Sequence, residues 1–204
     1  MRLGILGGTF NPIHLGHLML ADAAREQCDL DQVWLMPTNA PPHKSSRGLP
    51  DARVRLELVR QAVRGHPGLR ASDLELRLGG VSYTVRTVRW LRARYPTAKL
   101  FLIVGSDMLR VPWMALDELR RLCTFVVADR QLQAAAPQRH SRPGAALLGG
   151  RRVTGVRRIA TPRVDLSSTM IRNRVRRGLS IRYVVPETVR RTILRRGLYR
   201  RSRA

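Results

Sequence analysis

A regular alternation of short apolar runs with amphipathic segments restricts the fold of this 204-residue chain more than any other feature. The apolar runs have the length of β-strands, and the segments between them carry apolar residues at helical spacing. Strands are predicted at residues 2–7, 33–36, 99–104 and 124–128, and helices at residues 15–27, 51–62, 83–95 and 115–122. The alternation predicts an α/β fold, a doubly wound, mostly parallel Rossmann-like sheet with helices on both faces.

The rest of the chain extends this pattern. Two more strands are predicted at residues 69–78 and 153–160, and two more helices at 167–177 and 186–196, each followed by a glycine. Residues 167–199 thus form a small helical C-terminal segment. Residues 131–150 are rich in Ala, Gln, Pro, Gly and Arg without a period, which predicts a mobile surface insertion. The length fits a single domain over residues 1–204.

The formal net charge of +24 is the most unusual feature of the composition. Clustered cations favour nucleic acid as a partner, because they neutralise phosphates and release counterions. Nearly all the cations are arginine, however, and aromatic residues that could stack on bases make up only 5% of the chain. We therefore interpret the charge as arginine replacing lysine on solvated faces, and a nucleic-acid partner is disfavoured.

Cellular location and thiol state rest on two further observations. Apolar stretches such as residues 100–104 are too short to cross a bilayer, and the first eight residues lack the apolar segment of a signal peptide. We expect no membrane span and a cytoplasmic protein. Cys28 and Cys123 stand in or beside apolar segments without CxxC spacing, which predicts buried free thiols, with a disulfide between them as the alternative.

The segment Gly-Gly-Thr-Phe-Asn-Pro-Ile-His-Leu-Gly-His occupies residues 7–17, where the first strand leads into the first helix. Unpaired N–H groups at a helix start attract phosphate, and glycines let it approach the main chain. The spacing fits neither a P-loop nor a GxGxxG motif. His14 and His17 would offer two donors to oxygens that gain charge during nucleotidyl transfer. A zinc site or structurally satisfied histidines are the alternatives.

Four other segments carry groups suited to ligands. His43 and Lys44 follow two prolines in a stiff loop and suit an anion, although a solvated Pro-rich connector explains them equally. Residues 80–88 form a turn in which Ser82 would cap the next helix. Asp107 follows a buried strand, where α/β sheets bind ligands, but could also cap a helix. Residues 166–172 place hydroxyls and an arginine at a helix start, a second anion site or simply a capped helix.

These segments together resemble the nucleotidyltransferase superfamily that carries an (H/T)xGH motif and, among its members, the bacterial nicotinate-nucleotide adenylyltransferases. The resemblance extends over residues 7–199, and its most specific parts are the Pro-Pro-His-Lys of residues 41–44 and the Ser-Tyr-Thr of residues 82–84. Two departures stand out. Asn11 occupies a position where the family commonly has Asp, and at residues 128–131 the family's Arg-Pro-Gly is missing, with Arg130 keeping the charge.

The resemblance implies transfer of the adenylyl group of ATP to nicotinate mononucleotide in NAD biosynthesis, with Mg2+ carried on the ATP phosphates and no protein metal ligand. The implied catalytic residues are His14, His17 and Lys44. The implied ATP-binding residues are Gly7, Gly8, Thr9, Phe10, His14, His17, Gly105, Asp107, Ser168, Thr169 and Arg172. The implied residues for nicotinate mononucleotide are Asn39, His43, Lys44, Tyr83, Thr84 and Trp113.

Alternatives remain for the partner as well as for the reaction. Trp113 would stack on the pyridine ring, or it is simply a core tryptophan. A related nucleotidyltransferase acting on nicotinamide mononucleotide, phosphopantetheine or a cytidine nucleotide is the nearest alternative function. An RNA-binding protein that retains the fold is the distant one. A homo-oligomer is left open.

Overall fold

The computed structural model describes residues 1–42, 48–105, 108–129, 142–162 and 164–200. Within these residues the strands are β1 (Arg2–Gly8), β2 (Gln32–Pro37), β3 (Leu69–Ala71), β4 (Lys99–Val104), β5 (Thr124–Asp129), β6 (Arg142–Leu148) and β7 (Arg151–Ala160). They form one seven-stranded sheet in the order β3, β2, β1, β4, β5, β7, β6. Only the β6–β7 pair of this sheet is antiparallel.

Helices cover both faces of the sheet. They are α1 (Leu15–Gln27), α2 (Ala52–Ala62), α3 (Leu74–Leu78), α4 (Thr84–Arg94), α5 (Leu116–Leu122), α6 (Ser168–Arg176) and α7 (Glu187–Arg195). Buried residues of α1, α2, α6 and α7 join one apolar cluster, and those of α3, α4 and α5 join a second. Strand β4 alternates between the two, with Phe101 and Ile103 in the first cluster and Leu102 and Val104 in the second. The predicted α/β fold is confirmed.

Two element predictions were wrong in part. Only residues 69–71 of the predicted 69–78 strand are extended, and α3 follows at once. The Leu74 N–H donates to the Ser72 hydroxyl (3.3 Å), and such local bonds start a turn in place of a ladder. Residues 142–148, assigned to the mobile insertion, form strand β6. The insertion's first part, residues 131–141, lies outside the described residues.

The cysteine prediction is confirmed, because Cys28 and Cys123 are both buried free thiols. They belong to the two different apolar clusters and thus lie on opposite faces of the sheet. Among the described helices, none is long and apolar enough to cross a membrane.

Candidate functional site

The candidate site lies where the order in which the chain adds strands to the sheet reverses. The reversal occurs at β1: the chain adds β2 and β3 on one side of this strand and then returns to place β4 on the other. Ligands of open α/β sheets bind at the carboxyl ends of the strands at such a switch point. Gly7 and Gly8 end β1 there, and the Gly8 carbonyl accepts a hydrogen bond from the Thr38 N–H (3.0 Å), just after β2.

The loop between β1 and α1 packs around the buried ring of its own residue Phe10. Phe10 adopts a left-handed backbone (φ 46°) and its side chain is buried. A Cβ on Gly8 would lie 3.2 Å from the Phe10 ring, and one on Gly16 would lie 3.2 Å from the His14 ring. Both positions therefore favour glycine, since a side chain there would displace the ring. The side chain of Phe10, predicted in the ATP site, supports the loop from within the core.

The structure brings His14 and His17 together at the start of α1. Their rings stack with centroids 3.6 Å apart, and the Phe10 ring meets His17 edge-on at 5.0 Å. The main-chain N–H of His14 donates to the Nδ1 atom of the His17 ring (3.2 Å), so a neutral His17 carries its proton on Nε2. The pair is thus a rigid unit in which His17 has a defined donor.

Helix α6 docks its amino end onto the same loop. The Ser168 hydroxyl donates to the Pro12 carbonyl (2.8 Å), and Arg172 donates to the Asn11 carbonyl (2.9 Å) and the Thr169 hydroxyl (3.1 Å). Ser167 caps the helix by accepting from the Met170 N–H (3.1 Å). Partial burial lowers the pKa of Arg172, and the nearby Arg176 lowers it further. The two predicted anion sites are therefore neighbours.

Arg55 is a buried residue that the sequence analysis did not single out. It lies on α2 with 1% of its surface exposed. Its guanidinium donates to the carbonyls of Pro50 (3.0 Å), Thr9 (2.8 Å), Thr38 (2.7 Å) and Asn39 (3.3 Å). Burial lowers the pKa of Arg55. A single side chain thus ties the β1–α1 loop to the segment that follows β2, and its only sequence signal is an arginine on an apolar helix face.

Across β2, the turn before α4 is joined to the segment that follows the strand. The Asn39 N–H donates to the Ser82 hydroxyl (2.8 Å), and the Asn39 side chain donates to the Gly80 carbonyl (2.9 Å). Ala40 and Val81 form a parallel bridge. The N-cap of α4 is Tyr83, so the alternative role of Ser82 as the cap is wrong. Asn39 is therefore held against the turn that leads into Tyr83 and Thr84.

Glu75, on α3, was also missed. It belongs to the run predicted as a strand, in which a charged side chain is expected to face solvent. In the structure only 5% of its surface is exposed. Burial raises the pKa of its carboxyl from near 4.5 to about 7, although nearby hydroxyls and arginines favour the ionised form. A buried carboxyl with a pKa near neutrality beside the end of β1 is a candidate functional group.

Trp113 is half-buried against the second apolar cluster. Its indole N–H donates to the Met108 carbonyl (3.2 Å), and its ring meets Phe125 edge-on at 5.6 Å. These contacts favour the core interpretation in this conformation.

The remaining predicted site residues are placed only in part. Gly105 directly follows β4 at the switch point, and its carbonyl accepts from the Met108 N–H (3.0 Å). His43, Lys44, Asp107 and Arg130 lie outside the described residues. Among the residues described, no group of three or more His, Cys, Asp or Glu could hold a metal ion.

Comparison with known proteins agrees with this geometry. A model of the cytidylyltransferase-like family matches residues 5–174, and the chain belongs to that family. A relative from Exiguobacterium sibiricum is 41% identical over 98% of this chain and 99% of its own length, and one from Salinibacter ruber is 39% identical over 98% of each. Both bear the name probable nicotinate-nucleotide adenylyltransferase. Within the broader class, the chain belongs to this adenylyltransferase family.

A solved structure shows the same fold at lower identity. The nicotinic acid mononucleotide adenylyltransferase of Plasmodium falciparum, complexed with NaAD, superposes with a TM-score of 0.71 at 16% identity. The match covers 97% of each chain.

Proposed function

We propose that this chain transfers the adenylyl group of ATP to nicotinate mononucleotide, forming nicotinate adenine dinucleotide and releasing pyrophosphate. The observation that carries the proposal is that three helix starts lie at the carboxyl ends of the neighbouring strands β1 and β2. The starts of α1 and α6 are joined through Pro12 and Ser168, while the start of α4 is joined to β2 through Asn39 and Ser82. This arrangement suits one nucleotide on each side of β1.

The chemistry requires positioning more than proton transfer. An oxygen of the mononucleotide phosphate attacks the α-phosphorus of ATP, and the bond from that phosphorus to the β-phosphate oxygen breaks. A phosphate monoester has a second pKa of about 6 and is already mostly dianionic near neutrality, so no general base is needed. We assign His17 Nε2–H, oriented by the His14 N–H, to the α-phosphate oxygen that gains charge.

The ATP side is assigned to the loop and to α6. Gly7, Gly8 and Thr9 would offer main-chain groups, and Ser168, Thr169 and Arg172 would meet the outer phosphates. Hydroxyls and a guanidinium suit phosphate oxygens rather than a metal ion, so Mg2+ would be held by the ATP phosphates and would supply charge neutralisation on the pyrophosphate. Gly105 and Asp107 complete this side in the proposal.

The mononucleotide side is assigned to the opposite wall. Main-chain N–H groups at Tyr83 and Thr84 would receive the pyridine carboxylate, beside Asn39. His43 and Lys44 are assigned to the phosphate by their charge and donors, and Trp113 would stack on the pyridine after leaving its present contacts. The two free thiols suit a reducing compartment, so we place this reaction in the cytoplasm.

A pyrophosphate-release assay with ATP and a panel of mononucleotides tests the assignment. Nicotinate mononucleotide should give the highest kcat/KM, ahead of nicotinamide mononucleotide and cytidine nucleotides. The alternative suggested by the +24 charge is RNA binding. Tight, sequence-selective RNA affinity without turnover of any mononucleotide would overturn the enzyme assignment.

A further inference from the structure

The buried carboxyl of Glu75 lies directly beside the candidate site. Its Oε1 accepts a hydrogen bond from the Thr87 hydroxyl (3.1 Å) and lies 3.9 Å from where a Cβ on Gly7 would stand. Gly7 itself is exposed at the end of β1. Among the described residues, Oε2 is buried and receives no hydrogen bond of good geometry. The carboxyl thus lies beside the exposed end of β1, and its second oxygen is buried without a hydrogen bond from the described residues.

Two hydroxyls connect this carboxyl to the start of α4. Thr87 lies one turn after the Tyr83 N-cap. The Ser82 hydroxyl, which accepts from the Asn39 N–H, is close enough to Glu75 to favour its ionised form. Glu75 therefore supports the same turn that we assign to the pyridine carboxylate.

The charged groups that act on Glu75 are Arg55 of α2 and Arg86 of α4. Both guanidiniums are directed to main-chain carbonyls: Arg55 to those around the β1–α1 loop, and Arg86 to Leu78, Gly79 and Val81 (2.9–3.1 Å). Neither makes an ion pair with Glu75, and the desolvation of the carboxyl outweighs both. The charge on Glu75 therefore changes near neutral pH.

We propose that Glu75 determines pyridine specificity: when neutral it tolerates an anionic ring substituent at the start of α4, and when ionised it disfavours that substituent relative to a neutral one. This inference rests on the proposed function. Two like charges at a partly desolvated site repel each other, and we expect a threefold to tenfold effect on the acid-to-amide ratio of kcat/KM.

The test compares kcat/KM for nicotinate and nicotinamide mononucleotides from pH 6 to pH 8.5. The two substrates share the phosphate and its titration, so their ratio isolates the ring substituent. In the unmodified protein the acid-to-amide ratio should fall about threefold to tenfold as pH rises through 7. Glu75→Gln should show a flat ratio near the low-pH value. If turnover of the amide is too slow, its inhibition constant against the acid replaces kcat/KM.

Thr87→Val provides a second variant that keeps the carboxyl. It removes the hydroxyl that favours the ionised form, so the midpoint of the fall should move to higher pH. A flat ratio in the unmodified protein, an equal slope in Glu75→Gln, or an unmoved midpoint in Thr87→Val would each overturn the inference. Failure of the unmodified protein to use either mononucleotide would instead overturn the proposed function.

Discussion

His17 is the residue on which the proposed chemistry depends most. Its Nδ1 accepts from the His14 N–H (3.2 Å), which leaves Nε2–H as the donor for charge that develops at the α-phosphate. His17→Ala should therefore lower kcat by roughly a hundredfold or more with a smaller change in KM for ATP. His17→Gln, which keeps an amide donor, should retain part of the activity. Steady-state kinetics and thermal unfolding of the variants test this role. A loss of activity that is accompanied by a corresponding loss of stability would indicate a structural histidine.

Arg172 has both a structural and a proposed binding contact. It holds the Asn11 carbonyl and the Thr169 hydroxyl while facing the proposed position of the ATP phosphates. Arg172→Ala should weaken ATP binding and reduce its dependence on salt, since one cation is lost. Arg172→Lys keeps the charge without the planar fork, so it should restore the salt dependence but not the full affinity. ATP titrations at two salt concentrations measure both, and unchanged affinity in the alanine variant would remove Arg172 from the site.

Among the elements, α2 has a role that its amphipathic pattern conceals. Arg55 reaches four carbonyls of three chain segments from a fully buried position. Arg55→Met should destabilise the fold by on the order of 3–5 kcal/mol, because buried carbonyls lose their donor. Arg60→Met changes an exposed arginine of the same helix and is the matched control. Denaturant unfolding measures the free energy of unfolding of both variants. Equal, small losses in the two variants would show that the hydrogen bonds of Arg55 are not needed for stability.

Helix α3 gives the stability of the protein a pH dependence. The pKa of Glu75 is about 7 in the fold and near 4.5 ordinarily, so the folded state holds a proton that the unfolded chain releases. This contribution is present at low pH and is lost as pH rises through 7. The free energy of unfolding of Glu75→Gln relative to the unmodified protein should therefore increase by about 2–3 kcal/mol from pH 5 to pH 8. Glu26→Gln, at a side chain 63% exposed, is the control, and a constant difference for Glu75→Gln would contradict the burial argument.

Sequence patterns predict these elements unevenly, for physical reasons. Short continuous apolar runs such as β4 are predicted well, since a strand buried on both faces is apolar throughout and six residues are too few for a typical helix. The run at residues 69–78 alternates like a strand, yet side-chain bonding at Ser72 starts a helix that buries Glu75. Strand β6 has no apolar alternation because it is an edge strand, held by main-chain pairing to β7. The burial of Arg55 and Glu75 could not be predicted, because a charged residue in a sequence normally indicates a solvent-exposed position.

At the scale of the whole molecule, the sheet order explains why distant motifs meet. Residues 7–17, 38–40, 82–84 and 167–172 are far apart in sequence but gather around the carboxyl end of β1. The motifs could be recognised from the sequence, but their mutual contacts could not, because those depend on the strand order. The formal net charge of +24 favours the approach of anionic substrates to the molecule as a whole.

The central claim is that the adenylyl group of ATP is transferred to the mononucleotide at the carboxyl end of β1. The most direct measurement supplies ATP labelled at the α-phosphorus together with nicotinate mononucleotide and follows the label. The label should appear in nicotinate adenine dinucleotide, in equal amount to the pyrophosphate released, and His17→Ala should slow its appearance by roughly a hundredfold. Label that remains in ATP, or that appears only in free AMP, would contradict this claim.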